Sequence, residues 1–317
     1  MAEPNSIEVS VVIPAHNPDI GRLLETLRGL RGQSLPTGRW ETLLVDNASA
    51  AFPLESAYAE AAPANLRLMS EPRLGLTSAR LAGIRGARGA AIVLVDDDNV
   101  LDPGYLAEAV RLFARSPRLG AAGGKSLPTF EAPPAPWLGE FLALLAIRDL
   151  GEAEILAASF RPEGSVRNEY PACAPIGAGM ALRREAALAW ADSVEHDPKR
   201  RRLDRSGLEL VSGGDNDIVM TLLERGWSVG YFPSLILHHL IPKSRLDAHY
   251  VARLNRAIQR SWVQVLALHG ANPWQPIPAS TVPLRKLKAW FTRRAWKGPA
   301  ERIRWQGACG HFEGRAT

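Results

Sequence analysis

Three consecutive carboxylates, Asp96, Asp97 and Asp98, follow the apolar run AAIVLV at residues 90–95. Acids this close repel one another. A hard divalent cation such as Mg²⁺ or Mn²⁺ would offset that repulsion while keeping open positions for phosphate oxygens. Alternate residues of an extended turn point the same way, so Asp96 and Asp98 can share a ligand while Asp97 faces elsewhere. The plainer alternative is a solvated acidic turn. Position favours chemistry. Ala91–Val95 reads as a strand covered on both faces, and Asp102-Pro103 predicts a helix start, with Asp102 as cap and Leu106, Val110 and Phe113 at helical spacing. Acids at the carboxyl end of a buried strand, ahead of a helix, stand where open α/β sheets bind ligands.

A second acidic cluster follows Gly213-Gly214, where Asp215 and Asp217 precede the helical spacing of Ile218, Leu222 and Leu223. Capping accounts for one acid and leaves the other free for chemistry. His238 and His239 form an adjacent pair in the segment after the predicted strand Val229–Phe232, which Pro233 is expected to stop. Arg80 falls in the first turn of a helix that Thr77 or Ser78 would cap and Gly89 would close. There it opposes the helix dipole, either as a surface residue or as a group holding an anion or stacking on a base. Gly177 and Gly179, in APIGAGMALRRE, permit close approach of backbone to a ligand or merely make a tight turn. Neither GxGxxG nor GxxxxGK[ST] is present, so phosphate must be handled by other means.

The elements that must position these groups alternate between strand and helix, which argues an α/β fold. Strands are expected at 7–14, 40–49, 66–69, 91–95 and 120–124, with the Leu23, Leu24, Leu27 and Leu30 helix after the first. A Pro-rich connection leads into the apolar stretch Trp137–Ile147 and reads as a functional loop or lid. Residues 195–206, EHDPKRRRLDRS, read as a charged surface loop. The chain has 317 residues, a net charge of +5 and two distant cysteines, Cys173 and Cys309, which excludes a disulfide scaffold and a structural zinc site. No signal peptide is visible and no apolar stretch is long enough to span a bilayer, so a soluble, cytoplasmic protein is expected. The bases do not interleave with the acidic site, which argues against nucleic acid.

Six segments in order, VVIPAHN (11–17), LLVDNAS (43–49), GLTSAR (75–80), VLVDDDNVLDP (93–103), GAGMALRR (177–184) and GGDNDIVMTLLERGW (213–227), resemble glycosyltransferase family 2. The resemblance covers roughly residues 7–242. It implies inverting, nucleotide-sugar-dependent enzymes of the GT-A fold, a Rossmann-like mixed, mostly parallel sheet flanked by helices. Residues 1–245 would form that domain, with 7–125 the nucleotide-sugar half and 126–245 the acceptor half, and 246–317 a helical extension. By position, Pro14, His16 and Asn17 match the loop beside the nucleotide, Asp46 the acid that contacts base or ribose, and Arg80 an arginine near base and phosphate. Asp96, Asp97, Gly179 and Asp217 complete the expected donor-binding set. Asp98 and Asp96, with His239 (or His238) from HLIPKSRL, would hold Mn²⁺ or Mg²⁺. Asp215 would be the general base, although the family often has Glu-Asp where this chain has Gly214-Asp215.

The implied reaction is a single displacement. Asp215 deprotonates an acceptor hydroxyl as it attacks the anomeric carbon, and the metal offsets charge on the departing diphosphate. The acceptor would be a saccharide or lipid-linked species of cell-surface polysaccharide or glycolipid synthesis. A sugar-nucleotide nucleotidyltransferase is the competing class, but PAHNPDIGRLL lacks the Gly-rich, Arg-containing loop it would need. A catalytically silent carbohydrate-binding relative would be consistent with Gly214. Residues 284–305 combine Leu284, Leu287 and Phe291 on one helical face with Lys286, Lys288, Arg293, Arg294 and Lys297 around it. That pattern fits a helix lying on an anionic membrane, or one packed on the domain.

Overall fold

The structure, a computed structural model, describes residues 7–159, 169–207 and 209–317. Its strands are β1 (Val9–Ala15), β2 (Trp40–Asp46), β3 (Leu66–Ser70), β4 (Ala91–Leu94), β5 (Asn99–Leu101), β6 (Leu119–Phe130), β7 (Ile155–Ala157), β8 (Ala181–Arg183) and β9 (Ser228–Ile241). The helices are α1 (Ile20–Arg31), α2 (Glu55–Tyr58), α3 (Leu76–Gly86), α4 (Tyr105–Arg115), α5 (Arg184–Glu195), α6 (Pro198–Arg201), α7 (Gly214–Glu224), α8 (Ala248–Leu268), α9 (Val282–Thr292) and α10 (Pro299–Arg315).

One mixed sheet runs in the order β3-β2-β1-β4-β8-β6-β9-β5, with β7 also on β9. The half from β3 to β4 is wholly parallel, as βαβ units require. Every residue of β1 and β4 is buried, because the strand pleat sends alternate side chains into two separate cores. Val9, Val11 and Ile13 pack with Leu23, Leu27 and Leu30 of α1 and Leu106 and Leu112 of α4. Val12, on the other face, packs with Ile84 of α3, Trp190 of α5 and Ile218 of α7.

Five sequence expectations are corrected here. After the acidic turn the chain forms β5 before any helix, and α4 starts with Gly104 at its cap position and no side-chain cap. Asp102 is therefore not the cap, and its carboxylate faces His238 at 3.3 Å. Pro233 does not end its strand: pairing between β6 and β9 jumps from Gly123↔Tyr231 to Lys125↔Ile236, and Pro233 falls inside that irregularity, where no ladder donor is needed. Gly124 is required at the same place, since a Cβ there would lie 1.9 Å from the Leu235 carbonyl oxygen. Finally, α3 begins after Gly75, held at φ +132°, and ends at Gly86, so neither Thr77, Ser78 nor Gly89 acts as expected.

The C-terminal helices share a core with the segment 136–145, a 3₁₀ stretch: Leu138, Phe141 and Leu145 pack with Val251 and Leu254 of α8 and Ile303 of α10. Asp247 caps α8, accepting hydrogen bonds from the His249 and Tyr250 amides. On α9, Val282 and Ala289 are buried, whereas Leu284, Leu287 and Phe291 are 70 %, 55 % and 59 % exposed. The alternative in which that face packs on the domain does not hold. Among the described residues no helix is long and apolar enough to cross a membrane.

Candidate active site

At the carboxyl ends of β1, β2 and β4 lies a cavity of about 410 Å³. Pro14, His16, Arg80, Asp96, Asp97, Asp98, Asp215 and His239 line it. Of the other expected residues, Asn17, Asp46, Gly179 and Asp217 do not.

The acidic turn is held from below. The Leu240 amide donates to the Asp98 backbone carbonyl, and Asn99 Nδ2 donates to Asp98 Oδ1 at 3.1 Å. All three acids reach the cavity, so Asp97 does not face elsewhere. Burial together with the charges of Asp98 and Asp96 pushes the Asp97 carboxyl up to about 7. Burial also works against ionised Asp98, but His239 and Arg245 outweigh it and hold Asp98 well below the usual carboxylate range.

The two histidines are separated by strand alternation. β5 and β9 pair Asn99 with His239 and Val100 with His238. His239 is therefore turned inward, its Nε2 3.4 Å from Asp98 Oδ1, while His238 is turned outward toward Asp102. The expected cation set of Asp98, Asp96 and His239 is nevertheless not assembled. Asp98 Oδ2 is taken by Arg245 Nη1 at 2.8 Å, and that same nitrogen lies 3.3 Å from His239 Nε2. Among the described residues no three His, Cys, Asp or Glu side chains converge as metal ligands. The donor set in this arrangement suits a guanidinium and does not fit a divalent ion.

Arg80 is not a surface residue. It is buried on α3, its Nη1 2.7 Å from Asp204 Oδ2. Burial opposes its charge, but Asp204, Asp96 and Asp215 raise its pKa above the ordinary arginine value. Asp204 comes from the stretch 195–206, so that stretch is in part a wall of the cavity. The same carboxylate leaves no room for a side chain at Gly214. A Cβ on Gly214 would lie 2.3 Å from Asp204 Oδ2, so an acid from another part of the chain fills that space. Gly177 is needed for a similar reason, since a Cβ there would lie 2.7 Å from Arg80 Nη2.

Asp215 stands at the start of α7, where its Oδ2 accepts from the Gly177 amide at 3.1 Å and its Oδ1 from the Asn216 amide at 3.0 Å. A carboxylate has about four acceptor sites, so lone pairs remain for a substrate hydroxyl. Asp217 does something different. It is 1 % exposed and bound by Trp190 Nε1 at 2.8 Å, Arg200 Nε at 2.9 Å and His269 Nε2 at 2.9 Å, which corrects its assignment to the donor site.

His16 Nδ1 is 2.7 Å from the Asn47 carbonyl and must donate to it, which leaves Nε2 as acceptor for Asn17 Nδ2 at 2.9 Å. Asn17, at φ 47°, also ties its loop to Ser49 and Ala50. It orients the loop without lining the cavity. Asp46 closes the next turn through the Ser49 amide, and it is Asn47 that reaches the cavity. Gly179 packs against Tyr105 and Leu237.

Sequence reasoning missed Asn47, Asp204, Arg205 and Arg245, and the apolar wall of Tyr250, Leu254 and Ile258 from α8. Arg245 lay within HLIPKSRL and Asp204 within a run of alternating charge; a buried acid pairing with Arg80 was the missing link. Ala143–Ala146 also line the cavity.

Comparison with known proteins identifies the family and the fold. The model of "Glycosyl transferase family 2" matches residues 10–187. The fold is similar to residues 1–349 of S. aureus TarS, with a TM-score of 0.52 and 12 % identity over 98 % of this chain and 90 % of that one. The same TarS fragment in complex with UDP gives a TM-score of 0.51, also at 12 % identity and with the same coverage of both chains. An uncharacterized protein of Sinorhizobium fredii, y4gI, is 33 % identical over 112 residues, which are 34 % of this chain and 12 % of that protein. With the family model spanning more than half of its length and a GT-A fold around the acidic turn, the chain belongs to glycosyltransferase family 2.

Proposed function

We propose that this chain moves a sugar from a nucleotide-sugar donor to a hydroxyl of a saccharide or lipid-linked acceptor, with inversion, in cell-surface polysaccharide or glycolipid synthesis. The observation that carries this reading is that Asp215 and the acidic turn Asp96–Asp98 line one cavity together with Arg80. UDP bound to the similar TarS fragment supports a nucleoside diphosphate as the donor's leaving part.

In this account Asp215, fixed by two backbone amides, takes the proton of the acceptor hydroxyl as that oxygen attacks the anomeric carbon. The bond to the diphosphate breaks in the same step, so no enzyme nucleophile is needed. Pro14, His16, Asn47 and Asp96 form the donor's wall, and Tyr250, Leu254 and Ile258 offer the apolar surface a sugar ring or lipid needs. No divalent cation is assigned to Asp98, whose carboxylate is engaged by Arg245 and His239.

The exposed face Leu284, Leu287 and Phe291, ringed by exposed Arg285, Lys288, Arg293, Arg294 and Lys297, fits the surface of an anionic membrane and would hold the enzyme at the inner leaflet beside a lipid-linked acceptor. The test of the reading is incubation with UDP-, GDP- and dTDP-sugars, scoring release of nucleoside diphosphate. Release from one nucleotide class supports it. Folded protein that neither binds nor cleaves any of them contradicts it.

A further inference from the structure

The displacement described above leaves two cavity-lining guanidinium groups without a task, Arg205 and Arg245. Arg245 sits on the short turn Lys243–Leu246, directly after β9. One of its nitrogens, Nη1, faces Asp98 Oδ2 at 2.8 Å and His239 Nε2 at 3.3 Å. Its Nε and Nη2 have no hydrogen-bond partner among the described residues. The guanidinium is thus clamped on one side and open on the other, as a fork that could take two oxygens of a phosphate would be. Arg80, held in the same way by Asp204, is only 4 % exposed against 24 % for Arg245, so Arg245 is the more open of the two.

A diphosphate entering a cavity lined by Asp96, Asp97, Asp98 and Asp215 meets like charge on several sides. It needs a cation close to the acidic turn, and the group already there is Arg245. Asp98, at 4 % side-chain exposure, is buried enough to fix the guanidinium in one orientation, and Arg245, at 24 %, is open enough to reach a ligand.

We infer that Arg245, oriented by Asp98, binds the diphosphate of the donor, so that nucleoside diphosphate binding persists when divalent cations are removed. This rests on the nucleotide-sugar reading above. Asp98 then acts as a positioning residue for a guanidinium, and the positive charge that meets the leaving diphosphate is carried by the chain itself.

The experiment is calorimetric titration of UDP, GDP and dTDP in EDTA and in Mn²⁺, on the full chain, on Arg245→Met and on Arg245→Lys. Binding of one nucleotide in EDTA, weakened tenfold or more by Arg245→Met and partly restored by Arg245→Lys, is the expected result. Should Arg245→Met fail to fold, the Asp98→Asn/Arg245→Met pair, which removes the buried charge with its partner, takes its place. Binding confined to Mn²⁺-containing samples overturns the inference, as does binding in EDTA that Arg245→Met leaves unchanged. If folded wild-type protein binds no nucleotide with or without Mn²⁺, the donor reading itself falls and this inference with it.

Discussion

Arg80 and Asp204, far apart in the chain, meet at 2.7 Å as a buried ion pair in the wall of the cavity, at 4 % and 6 % side-chain exposure. Removing one partner leaves an uncompensated buried charge, so Asp204→Ala should cost about 3–5 kcal/mol of stability. Urea unfolding of Asp204→Ala, Arg80→Met and the double variant measures it. The double variant should lose less than the sum of the single losses, and additive losses would show that the pair does not couple.

His269 links Asp217 to Glu224, with Nε2 2.9 Å from Asp217 and Nδ1 2.7 Å from Glu224. Burial alone would lower the His269 pKa, but the two carboxylates raise it above the ordinary histidine value. A raised folded pKa gives stabilisation that is complete below the unfolded value of about 6.5 and is lost as pH rises through the folded one. Melting temperature in wild type should therefore fall as pH rises above about 6.5. His269→Gln should melt lower at pH 6, with the gap narrowing toward pH 9; a constant gap would contradict the linkage.

α10 packs on α8 through Gly307, Gly310 and Gly314, which share a helix face. A Cβ on Gly310 would lie 1.9 Å from the Arg256 carbonyl oxygen. Backbone cannot yield as a side chain can, so Gly310→Ala should destabilise by about 1–3 kcal/mol or more despite its better helix propensity. Exposed Gly139 has open space around it and serves as the control.

The membrane proposal is checked by co-sedimentation with vesicles of anionic and of neutral lipid. Leu287→Glu/Phe291→Glu should lose binding to anionic vesicles while its melting temperature stays within a few degrees, since both side chains are exposed. Equal pelleting of wild type and variant would remove α9 from the membrane.

Much of this architecture is legible in the sequence. The buried strands around Val11 and Val93 announce themselves as unbroken apolar runs, and the acids after Val95 sit where the parallel half of the sheet ends. What is not legible depends on long-range pairing. Asn99–Leu101 is too short to read as a strand until β9 lies beside it, and nothing local separates His238 from His239 until that register is known. Asp215 and Asp217 look alike in sequence, yet one meets the cavity and the other is enclosed by Trp190, Arg200 and His269. Asp98 reads as a metal ligand by position; Arg245 alters that reading only because β9 carries it back to the acidic turn.

The central claim is that Asp215 is the base of a glycosyl transfer, and its most direct test compares wild type with Asp215→Asn on the nucleotide-sugar and acceptor found active. Asparagine keeps the shape of the side chain but cannot take the proton. Turnover should drop by about 10²–10⁴-fold, with nucleoside diphosphate affinity unchanged. Turnover within tenfold of wild type would place the base elsewhere and contradict the account.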